Sequence, residues 1–312
     1  MLKAMKRKLK TINYYLRGYK KRGFHDTMIK LIEGVVFTFT GQKHWSLKRK
    51  RKLLGFEFRI VEHCNLNCRS CSTFAPLATE SYLSVESVEK DLLQMKSLTK
   101  ERNIINVITI SGGETLLHPN LVEIIDKVRF HFPKLSSINM FTNGLLVMKM
   151  GDDFWESCKK NKVFLLVTKY PNMDYDKVIK RINEKGIKYR FFNNIEEDKK
   201  MWKYNINLEG TENHKKQFAS CCKGNICLEL NNGKFYSCAF PAHIHNFNNY
   251  FNQSIPITQK DFLDIHSVKD IDEILSFAKT PMPICRYCNS QYDADADIPW
   301  SISKREISEW AE

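Results

Sequence analysis

The sequence predicts an α/β fold: a partial (βα)6, TIM-like barrel followed by a small cysteine-rich module. Three observations carry this. Strand-like and helix-like segments alternate about five times across residues 56–192, as in a parallel sheet whose crossovers are helices. The first strand runs into a loop holding Cys64, Cys68 and Cys71, and in barrels of this kind the strand C-termini carry the active loops. After residue 192 the alternation stops, and a hairpin and a second set of cysteines follow.

Each element has a local reason. Phe56–Val61 alternates apolar and polar residues and reads as a strand. Ser84–Lys100 reads as a helix with Ser84 as its cap and Val88, Leu92, Leu93 and Met95 on its apolar face. Ile104–Ile110 is a β-branched strand that stops at Ser111-Gly112-Gly113. Pro119–Phe132 is a helix with proline at its start, where the missing N–H does no harm. Strand Ser137–Phe141 precedes Thr142-Asn143-Gly144, and helix Asp152–Lys160 precedes strand Val163–Thr168. Helix Asp174–Lys185, closed by Gly186, precedes strand Ile187–Phe192. Residues 193–220 read as a linker or irregular helix, residues 226–238 as a hairpin turning at Asn231-Asn232-Gly233, and residues 270–279 as an amphipathic helix. The expected division is a basic extension over 1–55, a barrel over 56–214, a cysteine-rich module over 215–295 and a tail over 296–312.

The chain has 312 residues, 43% hydrophobic and 27% charged, which excludes disorder throughout and fits a soluble globular protein. No apolar run is long enough to span a bilayer, and no apolar h-region follows the basic start, so neither a transmembrane helix nor a secretory leader is expected. Residues 1–55 hold 16 of the 49 Lys and Arg residues against only Asp26 and Glu33, so they carry the whole net charge of +14. The neutral body gives nucleic acid no electrostatic footing. Leu2, Met5, Leu9, Ile12 and Leu16 form one stripe of a basic amphipathic helix over 2–20, and five basic residues follow at 48–52. The stripe suits packing on the protein itself or peripheral contact with an anionic membrane; the expectation is a cytoplasmic protein working near the inner membrane face.

With no secretory leader expected, ten cysteines point to metal or iron–sulfur ligation and away from disulfides. Cys64, Cys68 and Cys71 lie within eight residues, and thiolates are the ligands of iron–sulfur clusters. Three ligands leave one iron of a [4Fe–4S] cluster open to a substrate or cofactor. Structural zinc wants four ligands, and His63 lies on the wrong side of the loop to supply one. A second group comprises Cys221, Cys222, Cys227, Cys238, Cys285 and Cys288, with Cys158 apart from both. His243 and His245 read as surface or structural residues, the scattered Trp45, Trp155, Trp202, Trp300 and Trp310 as packing, and carboxylates such as Asp153 and Glu156 as solvated faces.

C-x3-C-x2-C after a first strand resembles the hallmark of the radical S-adenosylmethionine (SAM) superfamily. Ser111-Gly112-Gly113-Glu114-Thr115 is similar to its Gly-Gly-Glu motif, and Phe141-Thr142-Asn143-Gly144 to its Thr-Asn-Gly turn, each at the end of a consecutive strand. The resemblance implies that Cys64, Cys68 and Cys71 bind a [4Fe–4S] cluster. It implies that Gly112, Gly113 and Glu114 hold the SAM amino group, and that Thr142 and Asn143 lie near its ribose. Reductive cleavage of SAM by an external electron donor would yield a 5′-deoxyadenosyl radical that abstracts a substrate hydrogen. One position departs: Ser70 stands where the family often has an aromatic residue on the adenine side. The second cysteine group resembles the twitch and SPASM modules that bind auxiliary [4Fe–4S] clusters. Cys222, Cys238, Cys285 and Cys288 are the expected ligands, with Cys221 and Cys227 as alternates for the first and zinc as the alternative metal. Relatives of this kind imply oxidation or epimerisation of a carbohydrate-like substrate. Peptide modification is the alternative, followed by a non-catalytic zinc or iron–sulfur protein and a nucleic-acid-modifying enzyme.

Overall fold

The computed structural model describes residues 54–100, 102–171, 173–192, 200–201, 205–221, 227–289 and 298–311. The expected helix at 2–20, the basic run at 48–52, Trp45, Trp202 and Cys222 lie outside the described residues. Strand β1 (Leu54–Val61) is the hub of the main sheet. On one side it pairs in parallel with β2 (Ile105–Gly112), and then come β3 (Ser137–Thr142), β4 (Val163–Val167) and β5 (Lys188–Phe191), all parallel. On its other side it pairs in parallel with β7 (Glu229–Asn231), whose hairpin partner β8 (Lys234–Tyr236) and then β9 (Leu263–Asp264) extend the sheet antiparallel. A separate two-stranded piece pairs β6 (Lys200–Met201) with β10 (Ile298–Pro299). Six strands therefore run in parallel, as the alternation predicted, but the sheet stays open, with β5 at one edge and β9 at the other.

Helices α1 (Val85–Thr99), α2 (Leu121–His131), α3 (Asp152–Lys160) and α4 (Tyr175–Glu184) supply the crossovers. Ser84 caps α1 by accepting the Ser87 N–H, and Asp174 caps α4 by accepting that of Lys177. Helix α2 begins two residues after Pro119, with Asn120 at its cap. Because strand side chains alternate, Phe56, Phe58, Ile60, Ile108, Ile110, Ile138, Met140, Leu165 and Val167 all face one way. There they pack on Val88 and Leu92 of α1, Ile124 and Val128 of α2, Phe154 of α3 and Ile182 of α4. The opposite face is polar. Glu229, Glu57, Thr109, Asn139 and Phe164 form one row in register across β7, β1, β2, β3 and β4, and Arg59 and Ser111 stand in the next.

After β5 the chain builds a second core. Helix α5 (His214–Ser220) precedes the β7–β8 hairpin, which turns through Asn232 and Gly233, both with positive φ, as the sequence indicated. Helix α6 (Ala239–Phe251), which pattern reading missed, is capped by Cys238, and α7 (Ile271–Phe277) falls where expected. Phe240, Ile244 and Phe247 of α6 pack with Phe74 from the cysteine loop's exit and with Trp310 near the C-terminus. Among the described residues, no helix is long and apolar enough to cross a membrane.

Asp91 ties α1 to the β7–β8 turn and to the segment after β9, all within the main core. This buried α1 carboxylate accepts the Gly233 N–H at 2.7 Å and lies 3.0 Å from His266 Nε2, while Gln94 donates to the Ile265 carbonyl at 2.7 Å. Replacing Asp91 with Ala leaves the Gly233 N–H without its acceptor and costs about 1–3 kcal/mol. A urea midpoint lowered at unchanged slope is the expected result, and a midpoint equal to the parent's contradicts it.

Candidate active site

The cysteine loop leaves the C-terminal end of β1, an interior strand paired with β2 and β7. Within it the Leu66 N–H points at Cys64 Sγ at 3.3 Å, Cys71 N–H bonds Cys68 O, and Phe74 N–H bonds Cys71 O. The three thiols lie in one another's field, and burial, then Glu114, then the other two thiols push Cys64 well above the usual thiol range. Such a group becomes a thiolate only with a cationic partner, and a metal is the partner that three thiols suit. Among the described residues no set of three or more His, Cys, Asp or Glu converges on a point where a single metal ion could sit. A [4Fe–4S] cluster, the group that the resemblance implies here, takes thiolates as its ligands.

The two turns expected beside the loop are there. Gly113 donates to Val61 O at 2.9 Å and Glu114 N–H to His63 O at 3.1 Å. A Cβ on Gly113 would stand 2.0 Å from His63 O and 2.9 Å from Cys64 N, so only glycine lets β2's end lie this close to the loop. Glu114 is buried, and its carboxylate accepts the Leu116 N–H at 3.0 Å and the Asn143 N–H at 2.7 Å, tying the ends of β2 and β3 together. Burial pushes Glu114 up to about 7 against those hydrogen bonds. Its oxygens keep further lone pairs for an ammonium donor. Thr142 Oγ1 accepts the Gly144 N–H, and Asn143 Nδ2 donates to Asn65 Oδ1 at 2.8 Å and lies 3.7 Å from Cys64 Sγ. Gly113, Glu114 and Asn143 thus stand beside Cys64, with Gly112 against Val61 and Thr142 beside Glu114. Ser70 has a left-handed backbone and is buried, its hydroxyl donating to Glu309 O at 2.6 Å. The position that departs from the family pattern is thus buried and tied to the C-terminal segment.

The second cysteine group converges in part. Cys238 at the α6 cap, Cys285 in the turn Pro283–Tyr287, and Cys221 at the end of α5 share one field. Burial, then Cys238, push Cys285 up to about 12. Cys288 follows at the end of the same turn and packs on the second core with Cys238 and Cys285. Of the two alternates for the first position, Cys221 shares the field of Cys285, and Cys227 is half-buried. Cys158 is buried in the helix core, as expected of a thiol outside both groups.

Sequence reasoning missed a buried charge network below the loop. His243 of α6, buried, donates from Nδ1 to Glu62 at 3.0 Å and from Nε2 to Glu229 at 2.5 Å. Asn246 and Asn231 donate to the same Glu62, and Arg59 Nε stands 3.7 Å from it. Burial and Arg59 pull His243 down, but Glu229 and Glu62 hold it above its ordinary range. Burial opposes the charge on Glu62, yet His243 and then Arg59 keep it well below the carboxylate range. Desolvation, then Glu229, push Glu57 up to about 7. The available signal was the polar half of the β1 alternation, Glu57 and Arg59, in a strand that a parallel sheet normally covers on both faces.

Residues 58–201 match the model of the Radical SAM superfamily. Curated relatives include the GTP 3′,8-cyclase of Trichodesmium erythraeum, 32% identical over 105 residues, 31% of this chain and 30% of the relative. The GTP 3′,8-cyclase of Alkaliphilus metalliredigens is 27% identical over 103 residues, 33% of this chain and 31% of the relative. The chain spans about a third of the length of these relatives. Similar solved structures are BtrN in complex with AdoMet and 2-DOIA (TM-score 0.48, 13% identity, 77% of this chain and 94% of that one). Native anSMEcpe with bound AdoMet is another (TM-score 0.44, 12% identity, 71% and 80%).

The network makes stability depend on pH. The folded value of Glu57 lies above its ordinary value, so the folded chain holds that proton more tightly than the unfolded one. The stability this gives is present at low pH and is lost as pH rises through about 7. Glu57→Gln does not titrate, so between about pH 5 and about pH 8 the parent loses ground to the variant in unfolding free energy. A difference that stays constant over that range contradicts the assignment.

Proposed function

We propose, from the premise that residues 58–201 are a radical SAM domain, that this chain uses a SAM-derived radical to oxidise or epimerise a carbohydrate-like substrate. Cys64, Cys68 and Cys71 would hold the [4Fe–4S] cluster, and Gly112, Gly113, Glu114, Thr142 and Asn143 would hold SAM. When bound, the pair supplies reductive cleavage of the sulfonium, driven by an external low-potential donor, and so a radical able to take a hydrogen atom from carbon. The chain's own residues bind and orient the substrate and keep water out. Cys238, Cys285 and Cys288, with Cys222 or its alternates Cys221 and Cys227, would hold an auxiliary [4Fe–4S] cluster able to take the electron that oxidation releases. Residues 1–55 would keep the enzyme near an anionic membrane face in the cytoplasm.

The observation that carries the substrate class is the polar sheet face beneath the cysteine loop. Glu229, Glu57, Thr109, Asn139, Arg59 and Ser111 set donors and acceptors side by side across four strands. Hydroxyls on neighbouring carbons each donate and accept, and such a face suits them. Arg59 is 2% exposed, and its Nε and Nη2 are buried without a hydrogen-bond acceptor, a cost that a substrate oxygen would offset. Three carboxylates, Glu57, Glu62 and Glu229, stand against two cations, Arg59 and His243. The balance favours a neutral polyol over a phosphate at this place.

The reading is tested anaerobically with reconstituted protein, dithionite and SAM. Perdeuterated carbohydrate fractions from cell extract are expected to pass deuterium into 5′-deoxyadenosine. Arg59→Met is expected to lower that transfer at least tenfold while SAM-only cleavage persists. Deuterium arriving from peptide fractions and not from carbohydrate overturns the substrate class. A Cys68→Ala protein that still makes 5′-deoxyadenosine at the parent rate overturns the cluster assignment.

A further inference from the structure

The C-terminal segment, expected to be a tail, lies across the cysteine loop. Arg69 N–H bonds Ser301 O at 2.9 Å, Ser303 N–H bonds Asn67 O at 2.9 Å, and Cys68 pairs with Ile302 in an antiparallel bridge. Trp310 Nε1 donates to the Cys71 carbonyl at 2.9 Å, and Ser70 Oγ to Glu309 O. Each residue from Asn67 to Cys71 thus bonds or pairs with this strap. The strap is itself fixed at both ends. Ile298 and Pro299 pair with β6, and Trp310 is buried in the second core with its carbonyl on the Ile206 N–H. Between these anchors the buried Glu309 carboxylate accepts Ser303 Oγ and the Lys304 N–H, both at 2.6 Å, and folds the strap onto itself.

One side chain of the strap reaches a ligand sulfur. Trp300 Nε1 lies 3.1 Å from Cys68 Sγ, the indole N–H aimed at the sulfur. Its ring meets Tyr170, from the loop after β4, edge-on at 5.9 Å, and the Tyr170 phenol lies in the field of all three thiols. Pinned by the strap and braced by Tyr170, the indole is held in place before any cluster binds. We propose that Trp300 is a positioning residue for the main cluster, donating its N–H to the Cys68 thiolate and raising the cluster's reduction potential.

The physics is direct. A one-electron donor adds negative charge that spreads over the cluster and its sulfurs, and an N–H aimed at a ligand sulfur stabilises the reduced state more than the oxidised one. The strap adds a second effect of the same origin, because it replaces water at Cys68, which is 4% exposed, with a fixed dipole. Trp300 therefore sets how strong a donor the enzyme needs, without touching the substrate.

The inference rests on the domain reading, and its test separates the two. The parent protein is reconstituted anaerobically, its iron counted, and its main cluster titrated by electron paramagnetic resonance, identified as the signal that SAM alters. A parent that binds no such cluster refutes the domain reading. Given the cluster, Trp300→Phe, which keeps the ring but loses the N–H, is expected to load iron as the parent does and to shift the potential to more negative values. Trp300→His, which keeps a ring N–H, is expected to fall between the two. A Phe variant that titrates with the parent overturns the proposal. In the parent alone, with 15N-indole tryptophan, the reduced main cluster is expected to show a 15N coupling. Its absence overturns the proposal even where the Phe variant fails to load iron.

Discussion

The structure depends on how close the end of β2 comes to the cysteine loop. Gly113 lies against His63 and Cys64 at a distance that no side chain permits, and the Val61 and His63 carbonyls accept the Gly113 and Glu114 N–H groups. That contact fixes the direction in which the chain leaves β1, and with it Cys64. Glu114 passes the constraint to the next strand by accepting the Asn143 N–H, and Tyr175 passes it on by placing its hydroxyl against Asn143 O, Thr168 O and Tyr170 N–H. The ends of β1, β2, β3 and β4 are thereby locked into one rim. The loop's other side is held by the strap and by Phe74 in the second core, so a segment with no regular structure of its own is braced on all sides.

The same design explains why charge is buried below the rim. The helix-side face of the sheet is apolar and close-packed, while the opposite face carries Glu57, Arg59 and Glu229, with Glu62 and His243 above them. Placing these groups out of water costs several kcal/mol per ion unless partners offset it. His243 and two asparagines satisfy Glu62, but two Arg59 guanidinium nitrogens, Nε and Nη2, have no acceptor. Those unpaired nitrogens are where the proposed substrate oxygen would bind.

Much of this was readable from the residues. The period-2 strands of the barrel, the Ser84 and Asp174 caps, the Asn232-Gly233 turn and the three motifs at consecutive strand ends are local signals, and each falls within a residue or two of its expected place. What escaped was non-local or masked by local chemistry. Helix α6 carries Phe240, Ile244, Phe247 and Phe251 at helical spacing, but Pro241 in its first turn and a run of His and Asn obscured the period. The pairing of Glu62 with His243 spans 181 residues, and Trp300 meets Cys68 across 232. No pattern along the chain carries such distances. Ser70 shows how the two kinds of information join: a departure from the family pattern in sequence becomes a strap contact in the fold.

The central claim is that the loop from Cys64 to Cys71 holds a four-iron cluster with one iron left for SAM. Mössbauer spectroscopy of 57Fe-reconstituted protein, with and without SAM, tests it most directly. In a chain whose Cys238, Cys285 and Cys288 are replaced, the expected spectrum has about four irons per chain. SAM is expected to set one of them apart from the other three. A cluster whose irons stay equivalent when SAM is added, or recovery of zinc in place of iron, contradicts the account.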